Sequence, residues 1–231
     1  MKEQVAKIYS LLLWGNKWGY SSRPTFRRLR FKESELKSNY VNVIDTLIEK
    51  NNKIPTYYYS DFHWNDWGAA CAFGEVINNY AFETGLGVVY NPDELQVSTF
   101  LPDKNFAQLA SLSVLWYDIP VEYTVHKADS GIAKEISLEE YPEWLIWENP
   151  NAIFPESVLF IGDSYTPPAL CTYNGTSSGI VDLFPRVYFC HWDYADGVLN
   201  NIPTDVGLVV IEAIESNYSY LDKKVSAVLN M

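Results

Sequence analysis

The chain has 231 residues, nearly half of them hydrophobic and 20% charged, with a formal net charge of −12. That composition excludes a disordered chain, and the acidic balance argues against nucleic acid or an anionic membrane surface as a partner. The three cysteines, Cys71, Cys171 and Cys190, lack metal-ligand spacing, and no apolar run approaches the roughly 20 residues of a membrane span, so neither a metal, a cofactor nor a span is expected.

In chain order, Val5–Trp14 is apolar and reads as a first strand or a short helix, without a signal-peptide cleavage pattern. Gly15–Arg30 reads as loop. The basic residues clustered near the N-terminus (Lys17, Arg23, Arg27, Arg28, Arg30, Lys32) are either a solvated face or a docking site for an anionic glycan or another chain segment. Val41–Ile44 is a short β-branched strand, Thr46–Asn51 a short helix, and Thr56–Tyr59 a strand that delivers the chain to Ser60-Asp61-Phe62-His63-Trp64. Ala69, Ala70, Ala72, Phe73, Val76 and Ile77 recur at helical spacing and predict a helix over Asn65–Tyr80. Alternating runs at Leu86–Tyr90, Leu95–Phe100, Val114–Tyr117, Val121–His126 and Trp144–Trp147, cut by Pro and Gly, predict a β-rich insertion over about residues 85–147.

From Val158 onward the pattern is strand 158–161, helix about 168–182, strand Arg186–Cys190, strand Gly207–Ile211 and a closing helix about 218–229. Short apolar strands alternating with helices predict an α/β fold, a parallel sheet with helices on both faces, in a single domain over residues 1–231. The 17 Tyr, 8 Trp and 11 Phe suit a carbohydrate or protein contact surface, and equally suit plain β-formers.

Val158-Leu-Phe-Ile-Gly-Asp-Ser164 is an apolar strand running straight into a turn. Such a turn lifts a serine hydroxyl out at the carboxyl end of a sheet, where open α/β folds bind ligands. Gly162, lacking a Cβ, allows the turn and a close substrate approach. A serine hydroxyl needs a base, and the chain offers three histidines. His63 lies two residues after Asp61. In an extended stretch i and i+2 point the same way, so the carboxylate can orient the imidazole. Ser164, His63 and Asp61 therefore make a complete set. His191 with Asp193 is a second pair on the next strand's carboxyl end. His126 reads as structural, Asp66 as a helix-start residue, and Asp163 as a backbone partner within the turn.

Asp61-Phe62-His63-Trp64 with Gly68-Ala69 resembles the Asp-x-His-Trp motif of the SGNH-hydrolase-like acetyltransferases, which include alginate O-acetyltransferase proteins and the bacterial proteins named for an Asp-His-His-Trp (DHHW) motif. Three blocks in the family's order extend the likeness. They are Tyr40–Asp45, Glu148–Asn151 with Val158–Tyr165, and Thr204–Glu212 with Glu215. The resemblance implies a three-layer α/β SGNH fold, with Ser164 as nucleophile, His63 as base and Asp61 as orienter. It also implies acetyl transfer or ester hydrolysis, with an acetylated donor, a polysaccharide or other carbohydrate acceptor, a possible partner protein and a cell-envelope or extracellular setting. Ser164 N–H is the natural oxyanion donor, Asn174 a candidate second donor, and Trp64 and Tyr165 candidate pocket walls. The chain departs from the family in having about forty residues before the Tyr40–Asp45 block. It also has His191-Trp192-Asp193-Tyr194 where the family has Asp-Arg-Tyr, and Glu215-Ser216 where it has Glu-Arg. A glycan-binding or cell-surface interaction protein on the same scaffold, without turnover, is the competing expectation.

Overall fold

The computed structural model describes residues 7–13, 38–58, 63–100, 122–128, 132–170, 177–196 and 198–214. The basic stretch, Asp61, Asn174, Cys171, the run at 114–117, Glu215-Ser216 and the closing helix lie outside them. Strands are β1 (Lys7–Leu13), β2 (Ser38–Val41), β3 (Gln96–Phe100), β4 (Glu122–His126), β5 (Lys134–Ile136), β6 (Leu145–Glu148), β7 (Ser157–Gly162), β8 (Arg186–His191) and β9 (Val206–Ile214); helices are α1 (Ile44–Asn51), α2 (Asp66–Glu83) and the single turn α3 (Pro167–Leu170).

Seven strands form one sheet in the order β2-β1-β9-β7-β8-β6-β5. The first five run parallel, while β6 pairs antiparallel with β8 and β5 antiparallel with β6. The sheet is thus mixed rather than wholly parallel. The connection from β5 to β6 is too short for a crossover, and a short return permits only antiparallel pairing. β5 and β6, within the expected insertion, extend this sheet, and β3 and β4 form a separate antiparallel pair.

The expected strand at Leu86–Tyr90 is absent. Gly85 and Gly87 take positive φ (83° and 72°), and the Asn78 side chain accepts the N–H groups of both Val89 and Tyr90 and donates to the Tyr90 carbonyl. Those backbone groups are satisfied without a ladder. The helix expected over 168–182 is also shorter than its pattern. After α3 the described chain resumes at Ser177, turns at Gly179 (φ 80°) and makes one 3₁₀ turn at Val181–Leu183.

β7 is buried at every position, and its alternate side chains feed two cores. Val158 and Phe160 join Val187, Phe189, Leu208 and Val210 beneath α2. Leu159 and Ile161 join Tyr188, Cys190, Val209 and Ile211 on the other face, covered by Trp192, Ala195 and Val198. A strand buried on both faces must be apolar throughout, which is why Val-Leu-Phe-Ile is unbroken. Helix α2 is buried nearly all round, as its Ala-rich, weakly amphipathic sequence requires. Among the described residues no helix is long and apolar enough to cross a membrane.

Candidate active site

Ser164 stands in the turn that closes β7, exposed while its neighbours Tyr165 and Thr166 are buried. The turn is closed from within. Asp163 Oδ1 accepts the Tyr165 N–H at 3.0 Å, and the Asp163 carbonyl accepts the Thr166 N–H at 3.1 Å. Asp163 therefore serves the backbone, as its place in the turn suggests. Glu212, at the end of β9 beside β7, accepts the Asp163 N–H at 3.1 Å and the Thr166 hydroxyl at 2.9 Å, both on Oε2. With these three N–H groups engaged, the Ser164 N–H is the turn donor with no partner among the described residues.

Gly162 also has a packing reason within the turn. A Cβ there would lie 2.0 Å from Thr166 Oγ1 and 2.7 Å from Glu212 Oε2. The missing side chain makes room for the chain's own supports, Thr166 and Glu212.

His63 arrives on a small two-stranded turn. Tyr57 bridges Trp64, the Tyr58 N–H donates to the His63 carbonyl at 3.1 Å, and the Asn65 N–H donates to the Thr56 carbonyl at 3.1 Å. Asn65 then caps α2 through Oδ1 and the Gly68 N–H at 2.9 Å. Gly68 lets the helix pack on this turn, since a Cβ would sit 2.0 Å from the Thr56 carbonyl oxygen.

Two consecutive residues of this turn bind two consecutive residues of the serine turn. His63 Nε2 lies 2.7 Å from Ser164 Oγ, and Trp64 Nε1 donates to the Tyr165 carbonyl at 2.7 Å. Trp64 has no exposed surface and packs edge-on against Phe73 and Tyr165, so it is a tether and not an open pocket wall. Tyr165, also buried, holds its ring 4.6 Å from the His63 ring, supporting the imidazole from beside it.

The second histidine–aspartate pair does something else. His191 Nδ1 accepts the Asp193 N–H at 3.2 Å and lies 3.3 Å from its carboxylate, capping the 3₁₀ turn Trp192–Tyr194. His126 is the last residue of β4.

Asp66 occupies the first position of α2, but its side chain does not cap the helix. It is buried, accepting the Thr124 hydroxyl at 2.6 Å and the Tyr58 hydroxyl at 3.2 Å, and burial pushes its carboxyl up to about 6. Glu212 is pushed well above the usual carboxylate range, first by complete burial and then by the neighbouring Asp163. Neither role was read from the sequence. For Glu212 the signal was a lone carboxylate after the apolar run Leu208–Ile211. Among the described residues no group of three or more His, Cys, Asp or Glu could hold a metal ion.

No protein-family model matches the sequence, and no curated protein matches it. Solved structures do. A DHHW family protein from Eubacterium siraeum aligns over 98% of this chain and 82% of its own, at 14% identity and a TM-score of 0.59. PatB1 of Bacillus cereus carrying a sulfonyl adduct aligns over 94% of this chain and 83% of its own, at 14% identity and a TM-score of 0.63. A second PatB1 structure aligns over 93% and 84%, at 13% identity and 0.57. The structural neighbours thus include a protein of the family that the Asp-x-His-Trp motif resembles, and at these identities the likeness is one of fold.

Proposed function

We propose that this chain is a serine-dependent acyltransferase or esterase of the three-layer SGNH type, moving acetyl groups to or from carbohydrate hydroxyls with Ser164 as nucleophile, His63 as base and Asp61 as the orienting carboxylate. The observation that carries the reading is the 2.7 Å contact between His63 Nε2 and Ser164 Oγ, the geometry of a base on its nucleophile.

In the first half-reaction Ser164 Oγ attacks the ester carbonyl carbon as His63 Nε2 takes the hydroxyl proton. The carbonyl electron pair moves to oxygen, and the Ser164 N–H is the first donor to that oxyanion. Collapse breaks the bond to the leaving alcohol, which takes the proton back from His63, and acetyl-Ser164 remains. In the second half a sugar hydroxyl or water gives its proton to His63 and attacks the acetyl carbon; the acyl–Oγ bond breaks and His63 returns the proton to Ser164 Oγ. A sugar makes the chain a transferase, water a hydrolase. Asp61, two residues before His63, is assigned the imidazole Nδ1–H, where a carboxylate fixes the tautomer and stabilises the cation. Asn174 is the candidate second oxyanion donor.

Two further observations support the reading. PatB1, a neighbour in fold, holds a sulfonyl adduct, and a serine activated by histidine has the nucleophilicity to form one. On the face of the sheet away from α2 an open groove is lined by the stacked pair Tyr141 and Trp144, the half-exposed Tyr194, and Glu140, Glu143 and Asp196. Aromatic faces and carboxylates suit sugar rings and hydroxyls. The groove lies against Tyr188 and Val198 of the second core.

The test is acetyl release from p-nitrophenyl acetate by the wild type, Ser164→Ala and His63→Ala. Both variants are expected to lose about a thousandfold or more in kcat. Wild-type turnover in either removes the assignment, and glycan binding without turnover in any of the three favours an interaction protein.

A further inference from the structure

We propose that Glu212 is a positioning residue for the nucleophile: its buried carboxyl holds the Gly162–Thr166 turn in the shape that presents Ser164 Oγ to His63 and leaves the Ser164 N–H without a partner among the described residues. This inference rests on the reading of Ser164 as nucleophile given above.

Glu212 is the charged residue of an otherwise apolar stretch of β9, and it has no exposed surface. The β7–β9 register pairs Ile161 with Ile211, so Glu212 stands level with Gly162, directly beside the serine turn. Its Oε2 grips the turn on both sides of Ser164, through the Asp163 N–H before it and the Thr166 hydroxyl after it. Gly162 supplies the space, since a Cβ there would displace both Thr166 and Glu212. A fully buried position near a strand's end has no packing reason to hold a carboxyl, and burying one without need is costly.

Remove this acceptor and the Asp163 N–H must find another, which means rotating the peptide that leads into Ser164. The hydroxyl then leaves its 2.7 Å contact, and displacements of about 1 Å cost on the order of 100-fold in rate. The state of the carboxyl matters as well. Oε1 is buried and has no hydrogen-bond partner among the described residues, and burial together with Asp163 favours the protonated form. Both bonds that reach the carboxyl fall on Oε2.

The experiment uses the full chain, with phenylmethanesulfonyl fluoride as the probe. Ser164 Oγ attacks sulfur, the S–F bond breaks as the S–O bond forms, fluoride leaves, and His63 takes the proton. Labelling rate is read by intact mass, and kcat and KM on p-nitrophenyl acetate are measured alongside, for wild type, Ser164→Ala, Glu212→Leu, Glu212→Gln and Thr166→Val. We expect one label on the wild type and none on Ser164→Ala. Glu212→Leu should label about tenfold more slowly or worse, with kcat down by the same factor and KM within about twofold. Thr166→Val should fall between it and the wild type. Glu212→Gln, whose amide oxygen can accept the same two bonds, should stay within about threefold of wild type.

Wild-type labelling in a folded Glu212→Leu, or Glu212→Gln as slow as Glu212→Leu, overturns the inference while Ser164 stands as nucleophile. If Glu212→Leu does not fold, Thr166→Val and Glu212→Gln decide: wild-type rates in Thr166→Val, or a tenfold loss in Glu212→Gln, overturn it. Failure of the wild type to label, or equal labelling of Ser164→Ala, removes the nucleophile assignment, and the inference falls with it.

Discussion

Two buried carboxyls lie beneath the two halves of the proposed site, and they are built differently. Asp66, under the turn that carries His63, gives each oxygen a hydroxyl donor, Tyr58 on one and Thr124 on the other. Both donors belong to the scaffold, so Asp66 joins α2 to β4 and to the chain ahead of His63. Glu212, under the serine turn, concentrates both donors on one oxygen and takes one of them from the backbone next to Ser164. A carboxyl bound to side chains stabilises a region, whereas a carboxyl bound to the peptide beside a reacting atom sets that atom's position. The first should be felt mainly in stability and its pH dependence, the second mainly in kcat.

Gly162→Ala strikes the serine side hardest. Its Cβ would lie 2.0 Å from Thr166 Oγ1 and 2.7 Å from Glu212 Oε2, so the clamp must open. We expect about a hundredfold loss of kcat and roughly 1–3 kcal/mol of stability, measured by p-nitrophenyl acetate turnover and urea unfolding. Turnover near wild type would show that the turn does not depend on the clamp.

Gly68→Ala is the counterpart under His63. A Cβ 2.0 Å from the Thr56 carbonyl oxygen pushes α2 off the turn, and unfolding should show a loss of about 1–3 kcal/mol with a smaller loss of kcat than Gly162→Ala. Equal kcat losses in the two glycine variants would erase the contrast.

Trp64→Phe keeps the ring packing and removes the indole N–H that donates to the Tyr165 carbonyl at 2.7 Å. The stranded carbonyl should cost about 1–3 kcal/mol, and kcat should fall several-fold as the two turns loosen.

The Asp66 side of the contrast is sharpened by pH. Its carboxyl is about 6 in the folded chain against an ordinary 3.8, so the folded state holds the proton longer than the unfolded one. Its contribution is complete below about pH 4 and is lost as pH rises through about 6, a fall of roughly 2–3 kcal/mol at most. Asp66→Asn should flatten that fall in denaturant titrations between pH 4 and 7, with kcat nearly unchanged. An unaltered slope would place the titrating group elsewhere. The smallest effect belongs to His191→Ala, which removes a 3₁₀ cap and should leave kcat within about twofold; a large loss would restore His191 as a candidate base.

Much of this was legible in the sequence, for local reasons. Val-Leu-Phe-Ile before Gly-Asp-Ser is unbroken because β7 is buried on both faces, and the Ala-rich spacing after Asn65 marks α2 because that helix is buried nearly all round. Asp-Phe-His-Trp drew attention to His63, and the tether through Trp64 could be known only once Tyr165 lay against it. What escaped the sequence was non-local. Alternation at Leu86–Tyr90 imitates a strand, but the Asn78 side chain takes the backbone groups that a ladder would have used. The antiparallel edge of the sheet depends on β6 meeting β8, some forty residues later. Glu212 was visible as a carboxylate in an apolar strand, yet its partners Asp163 and Thr166 lie nearly fifty residues earlier.

The central claim is that Ser164 becomes acylated with His63 as its base. The direct measurement is the rate at which acetyl-Ser164 forms on mixing with p-nitrophenyl acetate, followed by rapid quench and peptide mass, in wild type and His63→Ala. The account predicts an acetyl group on the Ser164 peptide of the wild type, formed at least about a hundredfold faster than in His63→Ala. Release of p-nitrophenol with no acetyl on Ser164, or equal rates in the two proteins, would contradict it.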